Sequence, residues 1–274
     1  MKNQFGKISR LQLVAESKEH QTVLGDVFFT APYKIMTPFR KQNGGIQVMP
    51  LCASAGIMEG DHQEFSFLIK SDAELEMLSQ SFDKIHKMEH GKATRTISAT
   101  VEKNGTFYYY PQPVIPFGQS SFENVMKIDL EDMSSRYFMV EIISCGRVAH
   151  QERFSFHRFS SRVEIRRNHK LIYRDNTLYE PERMPMESLG MYEGYTHLAN
   201  IFLSSSGIPE KQDKLRDQIW ALLEEEESES SLPFTGGVTS LMEGDLAVRL
   251  LGCRAQQLQG VCEKIKEFYQ AMEL

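Results

Sequence analysis

The sequence predicts a mainly β fold in which many short, mostly antiparallel strands form a stacked or superhelical arrangement, with two helices near the C-terminus. Apolar residues recur with a period of two in short runs through the first two-thirds of the chain. A period of 3.6 occurs only near the end. Since no fixed-length repeat is visible, we expect one domain, 1–274, with a β-rich body at 1–205 and a helix–strand–helix part at 206–274.

The clearest strand lies at 64–70, where Phe65, Phe67 and Ile69 fall on one face because strand side chains alternate. Gly, Pro, Asn and Ser separate it from other apolar runs of similar length. These runs predict further strands at 11–14, 125–130, 137–144, 153–159, 163–167, 171–174 and 246–251.

Asn104-Gly105 predicts a β-hairpin, since a two-residue turn of type I′ needs positive φ at both positions and these residue types tolerate it. The turn would pair Val101 with Tyr108 and Ala99 with Tyr110. That register puts the apolar positions of both strands on one face, so we expect the tyrosines to pack in the core.

Two amphipathic helices are predicted near the C-terminus. The first begins at Pro209, whose missing N–H is harmless at a helix start, and its apolar residues follow helical spacing from Leu215 to Leu223. It ends in an acidic run, 224–227, interpreted as a solvated, flexible segment. The second helix carries one apolar stripe between Leu258 and Met272.

Composition indicates a globular protein, with 41% hydrophobic and 25% charged residues. The formal net charge of -6 disfavours binding to nucleic-acid phosphates. Arg162, Arg166 and Arg167 are interpreted as the solvated face of a strand. No apolar run is long enough to span a membrane and the N-terminus lacks a signal-peptide core, so we expect a cytoplasmic protein.

Residues that commonly carry catalysis or metal binding form no recognised motif. The four cysteines lie far apart, without a CxxC pair, and are expected to be buried free thiols. His86 and His90 have i, i+4 spacing but are interpreted as surface or loop histidines. GxSxG, Walker A and GxGxxG sequences are absent, so we expect no enzymatic activity and no permanently bound cofactor.

Glu141 is the most informative single residue, because it lies in a strand that is apolar on both faces and shares its side with Met139 and Ile143. An unpaired carboxylate in a dry core is unfavourable, so this acid must pair, shift its pKa or face internal water. A structural salt bridge and a polar cavity or channel both remain open.

Two Gly-containing dipeptides precede or follow strands. Asp61 follows Gly60, where a turn aspartate commonly caps its own backbone. Arg147 follows Gly146 at a strand end and is placed to pair with Glu152. Each signal alone is weak.

Taken in order, five segments are more specific. The first four are YKIMTPF at 33–39, GIMEGD at 56–61, PQPVIPF at 111–117 and CGRVAHQERF at 145–154. The fifth comprises GGV at 236–238 and VRLLG at 248–252. This succession resembles the UreD (UreH) family of urease accessory proteins over nearly the whole chain.

The resemblance implies a cytoplasmic, β-rich scaffold that joins UreF as a dimer of heterodimers and binds neither nucleic acid nor a membrane. In that family the complex recruits the GTPase UreG and delivers nickel to apo-urease, with a water-filled passage proposed as its route. The matching positions here are Asp61, Lys84, Glu141 and Asp175, with nickel passing only transiently. Gly60, Gly146, Arg147 and Glu152 match as structural motif residues.

Two other functions remain open. A carbohydrate-binding or glycosidase module would use a carboxylate pair drawn from Asp61, Glu141 and Glu152, with Tyr108 to Tyr110 as exposed aromatics. A generic protein-interaction domain would need no metal traffic at all.

Overall fold

The computed structural model describes residues 8–205 and 207–272; the predicted domain limits at 1 and 274 and the internal boundary at 206 lie outside them. The strands are β1 (Ile8–Lys18), β2 (Gln21–Phe29), β3 (Tyr33–Lys34), β4 (Phe39–Arg40), β5 (Ile46–Val48), β6 (Leu51–Cys52), β7 (His62–Ile69), β8 (Glu74–Leu78), β9 (Asp83–Ile85), β10 (Ala93–Val101), β11 (Thr106–Tyr110), β12 (Val114–Pro116), β13 (Ser121–Leu130), β14 (Arg136–Ser144), β15 (Arg158–Arg167), β16 (Lys170–Tyr179), β17 (His197–Leu203), β18 (Phe234–Ser240) and β19 (Leu246–Gly252). The helices are α1 (Pro209–Glu229) and α2 (Ala255–Ala271).

Two sheets contain nearly all of these strands. The first has the order β16-β15-β13-β10-β7-β1-β2, and the second has β18-β19-β17-β14-β11-β8-β5-β4, with β12 and β9 attached beside β14. The chain alternates between them, since β7, β10 and β13 belong to the first sheet whereas β8, β11 and β14 belong to the second. Successive coils therefore stack as a superhelix, and the mainly β prediction is confirmed.

The expectation of mostly antiparallel strands was wrong. Among the described residues, nine strand pairings are parallel and seven are antiparallel. Each strand of the central coils is followed by a strand of the opposite sheet, so neighbours within a sheet lie one full coil apart and run the same way. The opposite sheet thus provides the crossover that parallel strands require.

The predicted hairpin at Asn104-Gly105 was also wrong. Asn104 does adopt a positive φ of 56°, but β10 pairs with β7 and β13, whereas β11 pairs with β8 and β14. The turn carries the chain from one sheet to the other, so the two strands face each other across the core instead of sharing hydrogen bonds.

The predicted strand at 153–159 is mostly irregular, because β15 begins only at Arg158. Phe154 has a φ of +49°, which ends extended structure there. Arg153 instead forms an ion pair with Glu187 at 2.7 Å. The other predicted strands lie wholly or almost wholly within β1, β7, β13, β14, β15, β16 and β19.

Apolar side chains form two main cores. One lies between the sheets and contains Phe107 and Tyr109; the other lies between the second sheet and the two helices and contains Tyr108 and Tyr110. All four rings are buried, as are the strand residues around them. The tyrosines thus pack in the core as expected, although Tyr108 and Tyr110 face the helices and not β10.

Three smaller expectations need correction. The acidic run is helical, since α1 continues to Glu229, although most of its side chains are exposed. Cys52 is exposed, whereas Cys145 and Cys262 are buried. Arg167 is buried and forms an ion pair with Asp245 at 2.7 Å, so it is not part of a solvated face.

Candidate functional site

A row of polar side chains crosses the first sheet at a single level. The register aligns one residue from each of five adjacent strands, and all five side chains are buried. They are Gln63, Arg95, Asn124, Ser161 and Thr177. On the second sheet, Glu141, Asn200 and Arg249 are aligned in the same way. We call these eight residues the polar layer.

The polar layer lies inside apolar surroundings. The first-sheet residues on one side of it are Phe65, Ile97, Met126 and Val163, with Asp175 at the β16 end of this row. On the other side they are Ala93, Phe122, Phe159 and Tyr179. Because side chains two residues apart in a strand share a face, the polar layer points into the space between the sheets.

Glu141 binds to two neutral side chains of the first sheet. Asn124 donates from Nδ2 to Glu141 Oε1 at 3.0 Å, and Ser161 donates from Oγ to the same oxygen at 3.1 Å. Asn124 also donates to Ser161 Oγ at 3.1 Å. The partners of Glu141 are therefore not basic residues, which favours the polar-interior interpretation over the structural salt bridge.

The surroundings of Glu141 favour its protonated form. Burial raises the pKa of Glu141 to about 7, and the nearby Asp175 acts in the same direction, whereas the Ser161 and Asn124 hydrogen bonds and Arg95 oppose the rise. The Glu141 side chain is nevertheless partly accessible to solvent, although its strand, β14, lies between β11 and β17 within the sheet. This combination indicates a small polar space between the sheets, shielded from bulk solvent.

Arg95 connects the polar layer to a cavity of about 270 Å³. It donates from Nε to Gln63 Oε1 at 2.8 Å and forms an ion pair with Asp83 at 2.7 Å. Its guanidinium lies 5.3 Å from the Phe65 ring centre and 5.6 Å from that of Phe122. Arg95 is thus a buried cation with one carboxylate partner.

Arg249 forms the opposite end of the polar layer, where it meets Asp175, a residue that is aligned with Val163 directly beside the layer. Asp175 accepts a hydrogen bond from Thr177 Oγ1 at 3.0 Å and pairs with Arg249. Arg249 also lines a second cavity, of about 280 Å³, beside Tyr179 and Tyr192. The polar layer therefore extends from one cavity to another, with a carboxylate–arginine pair at each end.

The structure places the predicted passage residues at three positions along this arrangement. Asp61 and Lys84 line the first cavity, Glu141 lies at the centre of the polar layer, and Asp175 lies at its far end. The backbone at Asp61 forms a turn, since the Asp61 N–H donates to the Met58 carbonyl oxygen at 3.1 Å, and the Met58 N–H donates to Asp61 Oδ2 at 2.8 Å. The Lys84 carbonyl accepts from the Ile57 N–H at 2.8 Å.

Gly146, Arg147 and Glu152 form a separate structural motif at the end of β14. Arg147 donates from Nε to Glu152 Oε2 at 2.7 Å, and the Gly118 N–H donates to the same oxygen at 3.1 Å. The Arg147 guanidinium stacks 4.2 Å from the Phe117 ring centre. These contacts hold a loop and agree with the pairing predicted from sequence.

Alanine substitutions should distinguish the two glycines of these motifs. Gly146 has a φ of +134°, and a Cβ there would collide with the Glu152 carbonyl oxygen; Gly60 has a φ of +80° and open space around its Cα. We expect Gly146→Ala to lower the free energy of unfolding by about 2 kcal/mol and Gly60→Ala by about 1 kcal/mol. Urea denaturation measures both, and equal losses would contradict the difference.

Within residues 8–205 and 207–272, no three His, Cys, Asp or Glu side chains converge as a metal-binding group. His86 is partly exposed, and its Nε2 lies 3.2 Å from the Ala55 carbonyl oxygen. In the same ranges, neither helix is long and apolar enough to cross a membrane. The atoms of the polar layer that could act as metal ligands are oxygens, which bind divalent cations weakly in comparison with imidazole and thiolate groups.

Seven members of the polar layer were not predicted from the sequence: Gln63, Arg95, Asn124, Ser161, Thr177, Asn200 and Arg249. Burial of Tyr108, Tyr109 and Tyr110 also removes the exposed aromatics that the carbohydrate-binding alternative required.

Fold and site together define a superhelical two-sheet β protein whose interior carries a polar layer between two cavities. A family model described as "UreD urease accessory protein" matches residues 7–273. The chain belongs to this family of urease accessory proteins.

Individual relatives agree with this assignment. The chain is 33% identical to the urease accessory protein UreH of Helicobacter pylori over 97% of its length and 96% of the relative. It is also 33% identical to the urease accessory protein UreD of Acetivibrio thermocellus, covering 97% and 98% of the two chains. For UreD of Flavobacterium johnsoniae the identity is 31%, with 94% and 91% covered.

Proposed function

We propose that this protein is a cytoplasmic, single-domain scaffold that binds UreF as a dimer of heterodimers, and with the GTPase UreG assists nickel insertion into apo-urease. The nickel ion is cargo and crosses the interior along the polar layer. The observation that carries this proposal is the row of polar side chains between two cavities, most of them buried, which ends at the exposed side chain of Arg249.

The charges along the row suit a cation that moves on. Asp61 and Asp83 lie at the first cavity, Glu141 at the centre and Asp175 at the far end. At each end of the row an arginine is paired with a carboxylate. An arriving cation can displace the arginine and become the partner of that carboxylate. Oxygen ligands and water would bind nickel weakly and release it, whereas a thiolate or imidazole cage would retain it.

Reconstituted urease activation tests this proposal. We expect Asp61→Asn and Glu141→Gln each to lower nickel-dependent activation about tenfold, the lower range for loss of a group near a metal. Asparagine at position 61 keeps an oxygen that can accept the Met58 N–H. Co-purification with UreF and UreG should stay unchanged, which separates transport from assembly.

Asp129→Asn is the matched control, because Asp129 lies on β13 like Asn124 but points outward and is exposed. It should activate urease normally. Normal activation by both the Asp61 and the Glu141 variants, with the complex intact, would contradict a role for the interior and leave only scaffolding.

A further inference from the structure

The end of the superhelix formed by β2 and β4 is open. The first sheet ends at β2 and the second at β4, and among the described residues no further strand pairs with the outer edge of either. At the other end, α1 packs against β18, and the edge strand β16 carries Lys170, Arg174 and Asp175. Charged residues on an edge strand discourage pairing with another molecule. By contrast, β2 has a single charged residue, Asp26.

The open end is also apolar. Five of the eleven large hydrophobic side chains that are exposed in the described residues lie between positions 27 and 39, so they form one region of the surface. They are Val27, Phe28, Phe29, Met36 and Phe39.

Two of these side chains continue the core between the sheets. Val27 lies opposite Leu13 of β1, and Phe29 lies opposite Leu11. Leu11 and Leu13 are buried between the sheets, whereas Val27 and Phe29 are 36% and 39% exposed. Residues opposite each other in a sheet share a face. The inter-sheet core is therefore left uncovered at β2.

Backbone groups of β2 also face outward. The Thr30 N–H donates to the Arg10 carbonyl oxygen at 3.0 Å, so the backbone at Thr30 is directed towards β1. Because this direction alternates along a strand, the N–H and C=O groups of Val27 and Phe29 point away from β1. Such an edge is a template for a further strand.

A second copy of this chain fits both open edges. A two-fold axis perpendicular to the sheets places β2 antiparallel to β2 of the second copy, and the same rotation turns the two β4 edges towards each other. One operation thus continues both sheets. A single extended peptide would cover only one of the two edges.

Charge selects the register of this pairing. With Phe28 on the axis, Val27 lies opposite Phe29 of the second copy, and Asp26 lies opposite its Thr30. Asp26 then approaches Arg10 of the second copy, since Arg10 lies beside Thr30 on β1. With Asp26 on the axis, two carboxylates would lie directly opposite each other, which is unfavourable, whereas Phe28 gives a favourable aromatic pair.

We propose that the β2 edge forms a symmetric contact between two copies of this chain, with Phe28 on the two-fold axis and both sheets continued across it. The contact goes beyond the proposed function, because it uses neither the polar layer nor UreF. Since both copies use the same edge, association closes at the dimer.

Sedimentation velocity of the full-length chain at micromolar concentrations tests the contact. We expect a reversible monomer–dimer equilibrium. Phe28→Lys and Phe28→Glu each place two like charges opposite each other, so each should weaken dimerisation about tenfold or more. An equimolar mixture of the two variants should restore dimers, because the opposed side chains then carry opposite charges. Only a residue that meets its own counterpart gives this result.

Asn176→Lys is the matched control, because Asn176 is exposed on β16, the edge strand at the other end of the first sheet. It should leave dimerisation unchanged. A monomeric wild type or oligomers larger than a dimer would overturn the proposal. Dimers that persist in both Phe28 variants, or a mixture of the two that stays monomeric, would also overturn it.

Disulfide trapping keeps the test independent of the folding of the charged variants. Phe28→Cys, made together with Cys52→Ser to remove the exposed native thiol, should form a covalent dimer on mild oxidation. The Cα atoms of opposed residues in antiparallel strands lie within the range that a disulfide spans. Asn176→Cys in the same background should stay monomeric, and equal cross-linking of the two variants would contradict a specific contact at β2.

Discussion

Asp245→Ala is expected to lower the free energy of unfolding by about 3–5 kcal/mol, because it leaves a buried guanidinium without its main partner. Asp245 and Arg167 have 0% and 1% of their side-chain surface exposed. Two hydrogen bonds join them, at 2.7 and 3.1 Å. Asp245 Oδ1 also accepts from the Ser205 N–H at 2.7 Å, so one carboxylate satisfies three buried donors.

Urea denaturation measures the loss. A double replacement, Arg167→Met with Asp245→Leu, should recover a large part of it, since a buried ion pair can be exchanged for apolar side chains. Glu243→Gln is the control, because Glu243 contacts Arg167 at 3.2 Å but is 31% exposed and should cost within about 1 kcal/mol. If Asp245→Ala lowered the free energy of unfolding by no more than Glu243→Gln does, the assignment of a buried, paired charge would be contradicted.

This ion pair joins the two sheets. Arg167 ends β15 of the first sheet, and Asp245 directly precedes β19 of the second. The same two strands carry Ser161 and Arg249 of the polar layer. The pair therefore helps to fix the sheet spacing that brings these side chains together.

Arg167 also shows what sequence patterns could and could not reveal. It shares strand parity with Val163 and Ile165, which are buried, so alternation alone indicated that it points inward. Grouping it with Arg162 as a solvated face overlooked that parity. Its partner Asp245 is 78 residues away, and no local pattern connects the two.

Strand positions were predictable because alternation reports which face is buried, but strand pairing was not. A strand opposite another in the same sheet and a strand across the core both require apolar residues at every second position. Asn104-Gly105 supplies a tight turn in either case. Only the stacking of later coils, which involves residues far apart in the chain, decides that β10 and β11 enter different sheets.

The candidate site was predictable in part for the same reason. Glu141 stood out because a charged residue in an apolar strand needs compensation. Asn124 and Ser161 lie at inward positions between apolar residues, so their parity was a usable signal. Their convergence on Glu141 depends on the parallel register of β13 and β15 and on the packing of the sheets, which the sequence does not show.

Glu141→Gln should make the protein more stable at neutral and alkaline pH while it lowers urease activation. The pKa of Glu141 is raised by burial from 4.5 to about 7 in the folded state. Between these values the folded state binds more protons than the unfolded state, so the wild type loses stability as pH rises through this window. Above this window, the ionised carboxylate lowers the free energy of unfolding by on the order of 2–3 kcal/mol. Glutamine carries no charge and avoids this loss.

The difference in unfolding free energy between Glu141→Gln and wild type, measured at steps from pH 4.5 to 8, isolates this group from other titrations. His197, whose pKa burial lowers to about 4, contributes equally to both proteins and cancels. Asp129→Asn should give a flat difference curve, since that carboxylate is exposed. A flat curve for Glu141→Gln would instead show that the carboxylate is well solvated in the folded state. If the variant is both more stable and less active, the buried charge is retained at a cost in stability, as expected for an acid whose role is to attract a passing cation.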